Sequence, residues 1–238
     1  LKTRNIKSCF VKKFYKDQYD EQKLLKKNGK LFLSAKRIKA IKEAEDEKYD
    51  IAIIDDGLQD NSFKPDISIV CFNSDNWIGN GMSIPSGPLR EGVNNIKKYD
   101  HVFLNGIYEN LENIKDQILK INPKANIHIG KYEPINLNVL KKDDNYLAFS
   151  GIGNHSTFIS MLKNNGVNIL RDIEFPDHFQ YDTNDIYKIT QEANKLNCKI
   201  ITTEKDYQRL ENLNTNEIKF IKSEIKILDE QKFLKLIL

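Results

Sequence analysis

The feature that constrains the fold most is a short apolar run that ends in two carboxylates. Residues Ile51–Ile54 are followed directly by Asp55, Asp56 and Gly57. A continuous apolar run of this length predicts a buried strand of a parallel sheet. Open α/β sheets bind ligands at the carboxyl ends of their strands, so the acid pair marks a candidate binding edge. In nucleotide-binding proteins an acid at this position holds a Mg²⁺ ion shared with substrate phosphates, whereas the alternative is an ordinary Asp-Gly turn.

Strand-like and helix-like segments alternate along the rest of the chain. The patterns predict strands over residues 6–15, 31–33, 51–54, 67–72, 101–104, 127–129, 146–153, 167–175, 199–203 and 218–221. They predict helices over residues 20–27, 34–47, 111–119, 156–163, 183–196 and 230–237. This alternation is typical of an α/β protein with mostly parallel sheets covered by helices. A polar stretch over 136–145 indicates a linker, which divides the chain into α/β/α units over 1–135 and 146–238.

Composition narrows the class of partner. Among 238 residues, 37 Lys and Arg stand against 34 Asp and Glu, and a net charge of +3 does not indicate nucleic-acid binding. The three cysteines have no pair spacing, which argues against a disulfide framework or a zinc site. No stretch approaches the roughly 18 apolar residues of a membrane span. The lysine-rich beginning is either a solvated face or a surface attracted to anionic lipid head groups.

Two segments carry candidate proton-transfer groups. His178 follows Pro176 and Asp177 at the exit of a predicted strand. Histidine is the side chain best suited to proton transfer near neutral pH, although a surface turn would also explain this one. Asp20 opens a predicted helix, where a carboxylate also serves simply as a favourable N-terminal acid.

Three further segments are candidates for binding polar ligands. Arg90, in the sequence GPLRE, can bind a phosphate bidentately or form a surface ion pair with Glu91. Gln59 lies just behind the acid pair and either orients a polar ligand or completes the turn. The sequence SGIGN at 150–154 resembles a phosphate loop but lacks GxGxxG spacing. The P-loop pattern GxxxxGK[ST] occurs nowhere in these 238 residues.

Five motifs together resemble one known family. The motifs DDGLQ, IPSGPLRE, SGIGN, FPDHF and TTEKD occur in this order, within a span from about Asp20 to Asp206. In this order they are similar to tetraacyldisaccharide 4'-kinase, the inner-membrane-associated family of lipid A biosynthesis. The resemblance implies transfer of the ATP γ-phosphoryl group to the 4'-hydroxyl of a lipid A disaccharide 1-phosphate. It implies ATP and Mg²⁺ as cofactors, the lipid A disaccharide precursor as substrate, and peripheral attachment to the anionic surface on the cytoplasmic face of the bacterial inner membrane.

The resemblance also implies roles for individual residues. Asp55 matches the Mg²⁺-linked acid, with Asp56 beside it in the same site. Asp20 resembles the carboxylate that acts with a histidine to deprotonate the hydroxyl, and His178 resembles that histidine. Four more positions match substrate-binding residues of the family: Arg90, Glu91, Gln59 and Arg37. Because Asp20 and His178 fall in different predicted units, we expect the active site in the cleft between them, closing to assemble the base.

The chain departs from the family pattern at several positions. Asp60 and Phe179 stand where the family commonly has histidine, and Tyr19 and Gln22 stand where Gly and Pro are usual. These departures bear on fine substrate contacts and leave the implied reaction class unchanged.

The family's P-loop precedes the segment around Asp20 and has no counterpart in this sequence. The first residue is Leu1 rather than Met, so we expect an internal start. The first predicted unit is then a P-loop-kinase-like domain without its Walker A segment, and the isolated chain should bind ATP poorly and turn over little.

Two other functions are compatible with the residues alone. One is a nucleotide-sugar or glycan-binding α/β protein in which Asp55 and Asp56 hold a metal ion for glycosyl transfer. The other is a non-catalytic module that binds acidic lipid through its lysine-rich beginning.

Overall fold

The computed structural model of the chain describes residues 5–16, 18–106, 111–211, 213 and 215–237, apart from the side chains of Asp20 and Ile237. The strands are β1 (Ser8–Lys13), β2 (Lys30–Ser34), β3 (Ile51–Ile54), β4 (Ile69–Asn73), β5 (His101–Asn105), β6 (Asn126–Pro134), β7 (Asn145–Ser150), β8 (Asn168–Glu174), β9 (Lys199–Thr203), β10 (Ile218–Ile221) and β11 (Ser223–Ile227). The helices are α1 (Tyr19–Asn28), α2 (Arg37–Asp46), α3 (Leu111–Ile121), α4 (His155–Asn164), α5 (Thr183–Lys195), α6 (Glu204–Arg209) and α7 (Glu230–Ile237), with short 3-10 turns at Val93–Lys98 and Leu137–Val139. The predicted α/β class with mostly parallel sheets is confirmed. Within the described residues, every helix is too short or too polar to cross a membrane.

The first compact unit spans Leu1–Asp66 and contains a parallel sheet in the order β2-β1-β3. Its core forms where Cys9 and Val11 of the central strand pack against the small side chains Ala40 and Ala44 of α2. The apolar run before the acid pair forms the predicted parallel strand, but the expectation that it is buried is wrong. Ile53 is 42% exposed, because among the described strands β3 pairs with β1 alone and forms an edge of this sheet.

The second compact unit spans Ile67–Leu238 and contains two four-stranded sheets. One is parallel throughout, in the order β10-β9-β7-β8. Its strand β7 is buried from its second residue onward, because alternate side chains meet a helix on each face. Leu147 and Phe149 pack with α5, whereas Tyr146 and Ala148 pack with α4.

The other sheet has the order β11-β6-β5-β4, with β11 antiparallel to β6. The sequence patterns did not predict β11, which brings the end of the chain back to the strands near residue 130. Gly130 is required there, because a Cβ would collide with the Phe103 ring and lie 2.7 Å from the Ile225 side chain. Phe233 of α7 packs edge-on against both Phe103 and His128. The linker at 136–145 stays a prediction.

Candidate functional site

The acid pair follows β3, and the first acid is held by a buried lysine. The backbone N–H of Asp55 donates to the Val11 carbonyl at 3.0 Å, which continues the β1–β3 pairing by one residue. The Nζ of Lys12 lies 2.5 Å from Oδ2 of Asp55 and 2.8 Å from Oε2 of Glu21. The Lys12 side chain is 2% exposed, whereas the Asp55 side chain is 41% exposed. One buried cation therefore orients a carboxylate that solvent and ligands can still reach.

Lys12 stays protonated although it is buried. Burial by itself lowers the pKa of Lys12, but the hydrogen bonds to Asp55 and Glu21 outweigh burial, and the pKa stands above its ordinary value. Lys12 is therefore charged at neutral pH. Two carboxylates against one ammonium leave this trio with one net negative charge.

A buried arginine fixes the turn that carries the second acid. Asp56 adopts a left-handed backbone with φ of 54°. The guanidinium of Arg37 donates to the Asp56 carbonyl at 2.8 Å, to the Asp55 carbonyl at 3.3 Å and to Oδ2 of Asp60 at 3.4 Å. Hydrogen bonds from Ser62, with a contribution from Arg37, lower the pKa of the Asp60 carboxyl. Asp60, one of the departures from the family pattern, is thus the anionic partner of Arg37.

The residues at this turn fit a magnesium ion. Their carboxylate oxygens are the hard donors that Mg²⁺ prefers. Among the described residues, there is no group of three or more His, Cys, Asp or Glu side chains that could hold a metal ion by itself. One or two carboxylates, with the remaining ligands from water and substrate phosphates, are the usual protein contribution to a nucleotide-bound Mg²⁺. Asp55 and Asp56 are the two adjacent carboxylates at this turn.

Two other predicted site residues belong to the same unit. Asp20 is the second residue of α1, close to the predicted start of this helix, and its side chain lies outside the described residues. Gln59 is exposed in the turn that follows the acid pair. Their roles stay predictions.

The GPLRE segment of the second unit belongs to a loop folded on itself. The Ile84 N–H donates to the Leu89 carbonyl at 2.8 Å, and Leu89 is buried. Gly87 is required, because a Cβ there would collide with the side chain of Asn80 and a backbone carbonyl. Arg90 is exposed, and Glu91 accepts from the Nδ2 of Asn95 at 2.7 Å and from the Tyr99 hydroxyl at 3.4 Å. The loop therefore presents Arg90 to solvent from a structured base.

Three of the five motifs meet around the buried carboxylate of Asp206. This side chain is completely buried and accepts from the Gly151 N–H at 3.1 Å, the Tyr181 hydroxyl at 3.1 Å and the Thr203 hydroxyl at 2.7 Å. The Arg209 guanidinium lies 3.0 Å away and neutralises its charge. Burial and the neighbouring Asp206 raise the pKa of Tyr181, so its hydroxyl remains a donor. Asp206 thus joins the SGIGN turn and the TTEKD segment to Tyr181, two residues beyond the FPDHF motif, and the Arg209 that it holds contacts His178 of that motif.

His178 lies on the edge of this network. Its backbone is left-handed, with φ of 59°, and its N–H donates to the Gly151 carbonyl at 3.1 Å. Its Nδ1 lies 3.3 Å from a terminal nitrogen of Arg209. Its Nε2 lies 3.8 Å from Oδ2 of Asp177, and its side chain is 33% exposed. The imidazole is therefore held by contacts to Gly151 and Arg209, while a third of its side chain stays exposed.

A second histidine forms a chain that resembles a catalytic triad. Oγ of Ser150 lies 2.7 Å from Nδ1 of His155, whose Nε2 lies 3.1 Å from Oδ2 of Asp172. Ser150 is completely buried and His155 is 5% exposed, so no substrate can reach the hydroxyl. This chain fixes the start of α4.

Sequence reasoning missed Lys12, Arg209 and the central part that Asp206 plays. A lysine inside a predicted strand, beside a strand that ends in an acid, was a usable signal for Lys12. For Arg209 the sequence offers no comparable signal, because its partners Gly151 and His178 lie 58 and 31 residues away.

Comparisons with known proteins support one family. The sequence profile described as "LpxK: Tetraacyldisaccharide-1-P 4'-kinase" matches residues 13–238. A protein of Pelagibacter ubique named tetraacyldisaccharide 4'-kinase is 58% identical over 231 residues, which are 97% of this chain and 74% of that protein. A protein of Rickettsia canadensis with the same name is 37% identical over 238 residues, which are 91% of this chain and 70% of that protein.

A solved structure supports the fold. The crystal structure of LpxK from Aquifex aeolicus, described as in complex with ATP, matches with a TM-score of 0.65 and 21% identity. The match covers 99% of this chain and 79% of that one. At this identity the similarity shows the fold alone.

Proposed function

The chain belongs to the LpxK family of tetraacyldisaccharide-1-phosphate 4'-kinases, and on that basis we propose that it transfers the γ-phosphoryl group of ATP to the 4'-hydroxyl of a tetraacyldisaccharide 1-phosphate in lipid A biosynthesis. The observation that carries the proposal is the 58% identity to a tetraacyldisaccharide 4'-kinase over 97% of the chain. The alternatives of a glycan-binding protein and a non-catalytic lipid module have no comparable support.

Asp55 is the proposed ligand of Mg²⁺, with Asp56 beside it. When bound, the ion would neutralise charge on the phosphates of ATP. The contribution of this chain is to hold the carboxylate in place, through the ammonium of Lys12 on one oxygen and the Arg37 guanidinium on the turn. Phosphoryl transfer depends mainly on such positioning and charge neutralisation.

His178 and Asp20 are the proposed acid–base residues for the 4'-hydroxyl. A neutral sugar hydroxyl is a weak nucleophile, and removal of its proton in the transition state typically accelerates a reaction by about 10²–10⁴-fold. His178 supports this role because its side chain is 33% exposed while its backbone N–H is held by the Gly151 carbonyl.

Arg90, Glu91, Gln59 and Arg37 are the proposed substrate-binding residues. Arg90 suits a phosphate because it is exposed on a structured loop and a guanidinium can bind two phosphate oxygens. Arg37 contributes to substrate binding indirectly, because it holds the turn that carries Asp55 and Asp56.

Peripheral contact with the anionic surface at the cytoplasmic face of the inner membrane is a further proposal. It is supported by exposed aromatic residues at the end of β1 and the start of α1, namely Phe14, Tyr15 and Tyr19. The ammonium of Lys13 lies over the Tyr15 ring at 5.5 Å. Aromatic and basic side chains together are typical of segments that contact lipid head groups.

The proposal is tested with a chimera of this chain and a similar protein. In this chimera, the part of the Pelagibacter ubique protein that this chain does not cover is joined to this chain. Transfer of labelled γ-phosphate to tetraacyldisaccharide 1-phosphate is measured for the chimera and for the chain alone. We expect turnover by the chimera and little or none by the chain alone.

Two substitutions in the chimera test the assigned residues. We expect Asp55→Asn and His178→Gln each to lower kcat by about 100-fold or more. Asp66→Asn, an exposed aspartate of the first unit, is the matched control and should keep kcat. A chimera that transfers phosphate equally well with Asp55→Asn and His178→Gln would refute these roles.

A further inference from the structure

We propose that Arg209 is a positioning residue that holds the His178 imidazole with its proton on Nε2, and that this contact must open before His178 can accept a proton. The inference rests on the proposed function, in which His178 acts on the 4'-hydroxyl. Nothing in the family resemblance assigns a role to Arg209.

Arg209 is held by contacts to Gly151, Asp206 and His178. Its side chain is 4% exposed. One terminal nitrogen donates to the Gly151 carbonyl at 2.7 Å and to Oδ1 of Asp206 at 3.0 Å. The other terminal nitrogen lies 3.3 Å from Nδ1 of His178. The completely buried Asp206 neutralises the guanidinium and holds it in this orientation.

The chemistry of the guanidinium determines the protonation of the imidazole. Arginine stays protonated in proteins and has N–H donors but no acceptor. The nitrogen that it contacts, Nδ1 of His178, must therefore present a lone pair. A neutral imidazole then carries its proton on Nε2. Nε2 lies 3.8 Å from the carboxylate oxygen Oδ2 of Asp177, which is beyond hydrogen-bond distance but favours a proton on Nε2 electrostatically.

This tautomer cannot act as a base while the contact persists. Its one free lone pair is on Nδ1, which the Arg209 N–H covers. For proton uptake, the hydroxyl O–H bond breaks, a new N–H bond forms at Nδ1, and the imidazolium later returns the proton to water. Arg209 has to move off Nδ1 first, since an imidazolium has no lone pair to accept its N–H.

The contact between Arg209 and His178 can break without the other contacts of Arg209. The bond to His178 is the longest of the three and uses a nitrogen separate from the one that contacts Gly151 and Asp206. Arg209 can therefore release the imidazole while it stays bound to the buried carboxylate. The contact therefore keeps His178 oriented until the guanidinium moves off Nδ1.

The tautomer is measured directly by long-range ¹H–¹⁵N correlation NMR of the ¹⁵N-histidine-labelled chain. The signals of His178 are assigned by their loss in His178→Gln. We expect a pyridine-type Nδ1 and a pyrrole-type Nε2 in the unsubstituted chain, and averaging of the two nitrogens in Arg209→Met. Arg171→Met, which removes an exposed arginine paired with Glu192 in the same unit, should leave the His178 signals unchanged.

Kinetics of the chimera separate this proposal from the proposed function. We expect Arg209→Met to lower kcat by about 10-fold, because loss of the oriented imidazole outweighs removal of the contact that covers Nδ1. The KM values for ATP and for the lipid substrate should stay unchanged within about twofold. If His178→Gln keeps kcat, the base role of His178 is wrong. If His178→Gln abolishes turnover while Arg209→Met keeps both kcat and the tautomer, the positioning role of Arg209 is wrong.

A second variant keeps the test valid if Arg209→Met does not fold. Arg209→Gln retains an amide that can donate to the buried Asp206, but the shorter side chain lacks the second nitrogen that reaches His178. We expect the same averaging of the His178 nitrogens and the same loss of kcat. A His178 tautomer identical to that of the unsubstituted chain would overturn the inference.

Discussion

Removal of either charge of the buried Asp206–Arg209 pair should destabilise the second unit strongly and unequally. The two side chains are 0% and 4% exposed, so solvent screening does not reduce the effect. Loss of one partner of a buried ion pair costs about 3–5 kcal/mol, and we expect about 4 kcal/mol for Asp206→Asn. Arg209→Met should cost less, about 2 kcal/mol, because Gly151, Tyr181 and Thr203 still donate to the carboxylate.

The double variant measures how strongly the pair is coupled. We expect Asp206→Asn with Arg209→Met to cost about 2 kcal/mol less than the sum of the single changes, since no unpaired charge remains. Urea unfolding is followed by circular dichroism and by the fluorescence of Trp77, which lies in the same unit. The exposed pair Arg171 and Glu192 is the control, with an expected coupling below about 0.5 kcal/mol. Additive losses at Asp206 and Arg209 would refute the coupling, and with it the basis for a fixed guanidinium.

Lys12→Met should lower the free energy of unfolding, measured by urea titration, by about 2 kcal/mol, since Asp55 and Glu21, both partly exposed, lose their shared cation. Lys16→Met, which removes an exposed lysine, is the control, and an equal effect of this control would contradict the prediction. Burial and a neighbouring histidine lower the pKa of His128 in the folded state, so the unfolded chain binds more protons below about pH 6.5 and stability should fall as the pH drops toward 5. In urea titrations between about pH 6.5 and 5, His128→Gln should reduce the loss of unfolding free energy with falling pH. An unchanged loss in this variant would show that other groups cause it.

Local sequence patterns predicted most of the helices and strands, because their signals are periodic and short-range. The strand predicted over 199–203 is β9, and the helix predicted over 183–196 is α5. The strand β11 was missed because its two isoleucines alternate with charged residues over only five positions, and because its partner strand β6 lies about 90 residues earlier in the sequence. The burial of Ile53 was predicted wrongly because an apolar run carries no information about how many neighbouring strands it has.

The sequence likewise predicted only part of the candidate site. A charge pair after an apolar run was enough to single out Asp55, and five motifs in order were enough to indicate the family. The sequence offered a signal for the contact of Lys12 with Asp55 that the predictions did not use. The contact that positions His178 could not be predicted, because Arg209 lies 31 residues away in sequence.

The most direct measurement is the position of the phosphate in the product of the chimera. The chimera is incubated with γ-labelled ATP and tetraacyldisaccharide 1-phosphate, and the product is analysed by mass spectrometry and ³¹P NMR. We predict a single new phosphate monoester on the 4'-oxygen that carries the γ-label. No transfer under conditions in which the Pelagibacter ubique protein is active, or a label at any other position, would contradict the proposed reaction.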